Sequence, residues 1–243
     1  MMTIDYDYQN NRHTKTGAGA ALPYLFPAEK PASLLDVGCG IGTWLQAALE
    51  FGIPEVFGVD GSPIHPDQLL VPPALFMQQD LTRPLTLGRK FAAVLCLEVA
   101  EHLDEEAGKN LIRSLTQHGD TIYFSAACPD QLGQHHINCQ WPAYWQSLFN
   151  AEGFTCSDDI RWEIWECREI ERWYRQNMFL AVKSDTRAGR EKRIPAVVHP
   201  EMLDLLHGET PAKSRKADHF GGYKKVIEQG KALARKVKRK SSD

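Results

Sequence analysis

The stretch LLDVGCGIGTWLQAALEFGIPEVFGVD, residues 34–60, decides the fold. Leu34 to Val37 is a short apolar run that stops at the glycines of Gly38-Cys39-Gly40-Ile41-Gly42, and a helix-forming segment, Thr43 to Phe51, follows at once. A strand that breaks at glycines into a helix leaves backbone N–H groups aimed at whatever lies over the turn. Gly38 and Gly40 lack the Cβ atoms that would keep a ligand off the backbone. Val56 to Val59 reads as a second buried strand. It ends at Asp60, about 20 residues past the loop, where a carboxylate accepts hydrogen bonds from the hydroxyls of a ribose. Such charged bonds are worth roughly 1.5–3 kcal/mol each. The unit is expected to hold a nucleoside.

What is missing narrows the choice. A dinucleotide fingerprint GxGxxG begun at Gly38 and Gly40 needs its third glycine at position 43, where the chain has Thr43, and no GxxxxGK[ST] phosphate loop occurs. The spacing present is DxGxGxG, from Asp36 through Gly38 and Gly40 to Gly42. With Asp60 at the end of the next strand, it resembles the first motif of the Rossmann-like S-adenosylmethionine-dependent methyltransferases. That resemblance implies S-adenosylmethionine as the cofactor.

The remaining strand ends extend the site. Ala74 to Gln79 is expected to be a third strand ending at Asp80-Leu81, and Phe91 to Leu97 a fourth ending at Glu98. Asp120 to Ala127 is expected to be a fifth, after a helix over Glu105 to His118. Strands alternating with helices predict a parallel sheet covered on both faces, with ligands along the rim of carboxyl ends. On that rim Asp80 is placed to accept from an adenine amino group and Leu81 to pack on the ring. Asp36 is placed to reach the methionine end or to orient the loop, while Leu97 and Glu98 close the list of cofactor-binding candidates. A short helix is expected within residues 17 to 30, limited by Pro23 and Pro27. Pro142 to Ala151 reads as a Trp-rich helix, and Trp173 to Lys183 as a strand.

Two histidines are candidate catalytic bases, His102 and His136, because an imidazole near the methyl donor can take a proton close to neutral pH. Adjacent His135 reads as a solvated loop residue, and Trp141, Tyr144 and Trp145 as walls of an acceptor pocket. Enzymes that methylate planar amines usually carry Asn/Asp-Pro-Pro-Tyr/Phe after the fourth strand, whereas this chain has Leu97-Glu98-Val99-Ala100. Methylation of a hydroxyl, on a small molecule or a glycan precursor, is therefore the expected reaction. Glu98, Glu101 and His102 with His136 also form a pattern able to hold a divalent cation, whose occupancy the sequence leaves open. The rival readings are a metal-assisted RNA ribose 2'-O-methyltransferase and an inactive cofactor-binding scaffold.

The pieces LLDVGCGIGTWL, LCLEVAEHL, FSAACPDQLGQHHINCQWPAYWQSLFNAEGF and WYRQNMFLAV together resemble a group of stand-alone bacterial methyltransferase-domain proteins found among polysaccharide and natural-product genes. The resemblance covers about residues 17 to 183. It implies an α/β, three-layer Rossmann-like sandwich with a mainly parallel seven-stranded sheet and an antiparallel last strand. In that group the loop commonly reads His-Val-Asn-Glu-Gln-Trp; Cys139 stands here where the glutamate is usual.

Composition sets the outer bounds. The chain has 243 residues, 43% hydrophobic and 24% charged, which is ample for a buried core. There is no run of 18 apolar residues, no charged lead into an apolar segment, and no CxxC pair among six cysteines, so a cytoplasmic protein with reduced thiols is expected. Net charge is −3, yet residues 183–243 carry 16 Lys/Arg against 8 Asp/Glu, leaving 12 and 23 of the totals of 28 and 31 for the rest. That shift divides the chain into an arm (1–16), a methyltransferase domain (17–183) and a basic extension (184–243). In the extension, Lys224 to Lys240 has a weak capacity to lie on an anionic surface. Lacking interleaved aromatics, it does not favour a nucleic-acid partner.

Overall fold

The computed structural model describes residues 13–206 of the chain. Its centre is a seven-stranded sheet in the order β3-β2-β1-β4-β5-β7-β6. The strands are β1 (Leu34–Val37), β2 (Val56–Asp60), β3 (Phe76–Gln78), β4 (Ala93–Leu97), β5 (Thr121–Ser125), β6 (Phe154–Ser157) and β7 (Phe179–Lys183). Pairings from β3 through β5 are parallel, and β7 runs antiparallel to both β5 and β6. The sheet has the seven strands and reversed final strand implied above.

Apolar runs on both faces explain the three layers. β1 and β4 are buried at every position, as parallel strands covered on both sides must be. On one face α3 (Glu105–His118) and α4 (Pro142–Ala151) bury Leu111, Ile112, Trp145 and Phe149 against Val94, Phe124 and Phe179. α3 is buried at Ala107, Leu111 and Leu115, one helical face, and it starts where Asp104 accepts the Ala107 N–H at 2.8 Å. On the other face lie α1 (Lys15–Leu25), α2 (Thr43–Phe51), α5 (Asp159–Ile164) and α6 (Arg172–Asn177). They enclose Leu22, Trp44, Leu45, Ile160 and Tyr174.

Several boundaries differ from expectation for identifiable reasons. α1 begins at Lys15 behind a Thr14 cap and runs two residues past Pro23. The third strand is shortened by a 3-10 turn over Pro73–Leu75. The fourth starts at Ala93, with Phe91 held only by an isolated bridge to Gly119. The largest correction is at Trp173 to Lys183. Residues Arg172–Asn177 are helix α6, with Tyr174, Arg175, Gln176 and Asn177 all buried in succession, and only Phe179–Lys183 is strand. Tertiary hydrogen bonds override the strand-like composition: the Arg175 guanidinium donates to the carbonyls of Ile170 and Trp165.

The packed unit extends to Leu203, beyond the change in charge near residue 183. Ile194 belongs to the core, and Glu191 accepts hydrogen bonds from Gln146, Asn150 and the Cys156 N–H. A last helix, α7, spans Pro200–Leu206. At the other end, Thr14 to Thr16 of the expected arm form the cap and start of α1. The basic segment Lys224 to Lys240 lies outside the described residues. Among the described residues, no helix is long and apolar enough to cross a membrane.

Candidate active site

The ends of β1, β2, β3 and β4 open into one cavity of about 400 Å³, within the usual range for small-ligand sites. Asp36, Gly38, Gly40, Asp60, Asp80, Leu81, Leu97, Glu98 and His102 all line it. Gly42 and His136 do not. Gly42 instead sits at the helix start in the left-handed region, φ 91°, where it turns the chain into α2.

The glycine loop is held from below. Gly38 N–H donates to the Val59 carbonyl at 2.7 Å, and Gly40 N–H to Asp60 Oδ2 at 2.7 Å. The other Asp60 oxygen accepts the Ser62 N–H at 2.8 Å. Asp60 is thus the clamp between loop and strand as well as a lining carboxylate, a role the sequence reading missed. Gly38 also differs from expectation. It has φ 81°, and a Cβ there would fall 2.2 Å from Val99 Cγ2, so the space it frees is filled by Val99.

Asp36 is 2% exposed and its Oδ2 has no hydrogen-bond partner. Burial, aided by the charge of Asp60, pushes its pKa up to about 8. Asp80 is exposed and turned to Thr82, accepting from its N–H and its hydroxyl, which holds its carboxyl below the usual value. Leu81 is 7% exposed and forms the apolar floor beside it.

The rim after β4 is strained. Glu98 has φ 56°, a costly region for a non-glycine residue, and is held there by its N–H to the Ser125 carbonyl at 2.9 Å. Its carboxylate accepts from Asn177 Nδ2 at 3.1 Å and Gln131 Nε2 at 2.9 Å. Burial raises the Glu98 pKa against these bonds. Glu101, fully buried, accepts the Ala127 N–H, while its Oε2 has no hydrogen-bond partner. Burial and then the Glu98 charge push the Glu101 pKa well up. The Glu101 backbone carbonyl anchors the histidine loop through the Ile137 and Asn138 N–H groups.

His102 and His136 meet edge to face, with ring centroids 5.1 Å apart. His136 Nδ1 bonds the Gln131 carbonyl at 2.9 Å. Burial, then the neighbouring His136, pulls the His102 pKa down to about 4; its imidazole is neutral near pH 7. Glu101, His102 and His136 each offer one ligand atom within 4.8 Å of the others. His135 is exposed, with φ 52°. Trp145 is 1% exposed and packs on Phe124 at 5.4 Å, so it is core and not pocket wall; Trp141 and Tyr144 do not line the cavity either. Conversely, His13 and Tyr174 do line it. No local motif marks them, because both arrive through helix packing.

Comparison with known proteins agrees with this geometry. Residues 8–166 match the methyltransferase-domain family. The chain belongs to that family, and it is a class I methyltransferase dependent on S-adenosylmethionine. Among solved structures it is similar to the sugar N-methyltransferase KedS8 from Streptoalloteichus, at 18% identity and TM-score 0.52 over 73% of this chain and 90% of that one. It is similar also to the methyltransferase domain of bacterial CtHen1-C, at 16% identity and TM-score 0.52 over 70% and 98%. These likenesses concern the fold. A short segment of 56 residues is 41% identical to ribosomal RNA large subunit methyltransferase E of Caulobacter sp. (strain K31); it spans 23% of each chain.

The residues present fit the cofactor. S-adenosylmethionine carries a sulfonium, an ammonium and one carboxylate. The cavity offers Asp36, Asp60, Asp80 and Glu98 and, among the described residues, no Lys or Arg. The buried, unpartnered Asp36 Oδ2 suits a cationic group.

Proposed function

We propose that this protein methylates a hydroxyl group on a small molecule or glycan precursor. The observation carrying the reading is that His102, a neutral imidazole, lines the cavity at the β4 end next to Glu98. In this reading Asp60 accepts from the ribose hydroxyls, Leu81 packs on the base, Asp80 accepts from the base amine, and Asp36 and Glu98 face the methionine end. The cofactor supplies an electrophilic methyl group. The chain aligns the acceptor oxygen and takes its proton on His102; alignment is worth up to roughly 7–11 kcal/mol in ideal cases, and the base about 10²–10⁴ in rate. His136, outside the cavity, orients His102 through the ring contact. Among the described residues the six cysteines are all free thiols, consistent with a cytoplasmic setting.

The test is mass spectrometry of cell extracts incubated with isotopically labelled cofactor. An enzyme-dependent labelled methyl ether supports the reading, whereas a labelled methyl ester would put the methyl group on a carboxylate and overturn the hydroxyl. A labelled amine overturns the choice of oxygen, and the absence of any labelled product favours a cofactor-binding scaffold.

One observation favours a second reading, the convergence of Glu101, His102 and His136. A divalent cation held there with Glu98 would acidify the acceptor hydroxyl in place of a base, as a metal-assisted RNA ribose 2'-O-methyltransferase requires. Activity undiminished in EDTA, with no metal in the purified protein, removes it.

A further inference from the structure

His13 is the one imidazole of the cavity that the proposed reaction leaves without a role. It precedes Thr14, whose N–H and hydroxyl donate to Glu171 Oε1 at 2.7 and 2.8 Å and so pin the start of α1 to the start of α6. Gly17 permits this approach, since a Cβ there would fall 1.9 Å from Glu171 Oε2. Three residues along α6, the Tyr174 hydroxyl lies 3.2 Å from Trp44 Nε1 and 2.6 Å from His13 Nδ1. All three side chains line the cavity.

The chemistry of this chain of bonds favours one tautomer. An indole N–H can only donate, so of the two groups recorded at the buried Tyr174 hydroxyl only His13 Nδ1 can take its proton, and leaving that proton unpaired would be costly. His13 then carries its proton on Nε2. Burial, with His102 adding to it, pulls the His13 pKa down to about 4, which keeps the ring neutral and the tautomer defined near pH 7.

Its position along the rim gives it a partner. With the base at Asp80 and the ribose at Asp60, the amino-acid end of the cofactor falls over β1 and β4. There the carboxyl side chains of the lining, Asp36 and Glu98, offer acceptors for its ammonium. Its carboxylate needs donors, and the cavity lining contains no Lys or Arg among the described residues. We propose that His13 is a cofactor-binding residue whose Nε2–H donates to the α-carboxylate of S-adenosylmethionine, with Tyr174 and Trp44 as positioning residues that set its tautomer. This assignment rests on the cofactor placement proposed above.

Calorimetry with S-adenosylhomocysteine and with its decarboxylated analogue, which keeps the amine, tests it on the full chain. His13→Ala should weaken S-adenosylhomocysteine about tenfold, the worth of one hydrogen bond to a charged group, and leave the analogue unchanged. His13→Gln, which keeps a donor, should recover part of the loss. Tyr174→Phe should weaken S-adenosylhomocysteine a few-fold, again without effect on the analogue. If His13→Ala weakens both ligands equally, or neither, the assignment is overturned. Asp60→Ala serves as the control and should weaken both ligands alike; if it changes neither, the cofactor placement fails and the His13 assignment fails with it.

Discussion

The two halves of the cavity are built in different ways. The half at β1 and β2 comes from one continuous stretch, residues 34–60, and its parts bond to one another: Gly40 and Asp60, 20 positions apart, meet directly. The half at β4 is assembled from distant pieces. Asn177 reaches Glu98 across 79 positions, and His13 reaches Tyr174 across 161. A contiguous βαβ unit fixes its own geometry through the strand–turn–helix path, whereas the β4 half exists only once α1, α6 and the 129–140 loop have docked. On the proposed reading, the ribose is held by the local half, whereas the methionine end of the cofactor, proton removal and choice of acceptor also depend on the assembled one.

Substitutions can break that division. The largest effect is expected at His102: His102→Ala should lower turnover by about 10²–10⁴ while leaving S-adenosylhomocysteine affinity as in the wild type. His136→Ala, measured in the same labelled-cofactor assay, should cost clearly less. Equal losses at both positions, together with inhibition by EDTA, would replace the base by a cation. In the local half, Asp60→Ala should weaken S-adenosylhomocysteine by about one to two powers of ten, through lost ribose bonds and a released Gly40; wild-type affinity by calorimetry would sink that role.

Gly38→Ala probes the seam between the halves, because its Cβ would collide with Val99 and its φ is 81°. Urea unfolding should show a loss of about 1–3 kcal/mol, part of it regained by adding Val99→Ala. An unaltered midpoint would mean that the loop relaxes freely.

A further effect concerns pH. Folded Asp36 keeps its proton up to about pH 8, against an ordinary value of 3.8. The folded chain therefore binds the extra proton between those values, and stability falls as pH rises through that window. Asp36→Asn removes this slope, so its stability relative to wild type should grow from pH 4 to 8, by at most about 1.4 kcal/mol per pH unit. A difference that does not vary with pH would show that Asp36 is ionised in the fold.

Much of this was legible in the chain. The DxGxGxG spacing, Thr43 in place of a third glycine and Asp60 at the next strand end placed the loop, α2 and β2 where the structure has them, and Asp80, Leu81, Leu97 and Glu98 do line the cavity. Hydrophobic pattern misled where tertiary bonds decide local form. Trp173 to Asn177 looks like strand but is helix, because Tyr174 is drawn to Trp44 and His13 while Arg175 caps backbone carbonyls. Trp145 looked like a pocket wall, yet its large apolar surface is worth more inside the core against Phe124.

By itself the sequence determined the class of fold and the glycine-loop half of the site, since both follow from spacing within one βαβ unit. Tertiary structure decided that Gly38 makes room for Val99, that Asp60 also clamps Gly40, and that His102 lies in the cavity with His136 behind it. It alone brought His13, Tyr174 and Asn177 to the rim. The physical reason is that spacing encodes contacts a few residues apart, while a contact across more than a hundred residues depends on how every intervening element packs.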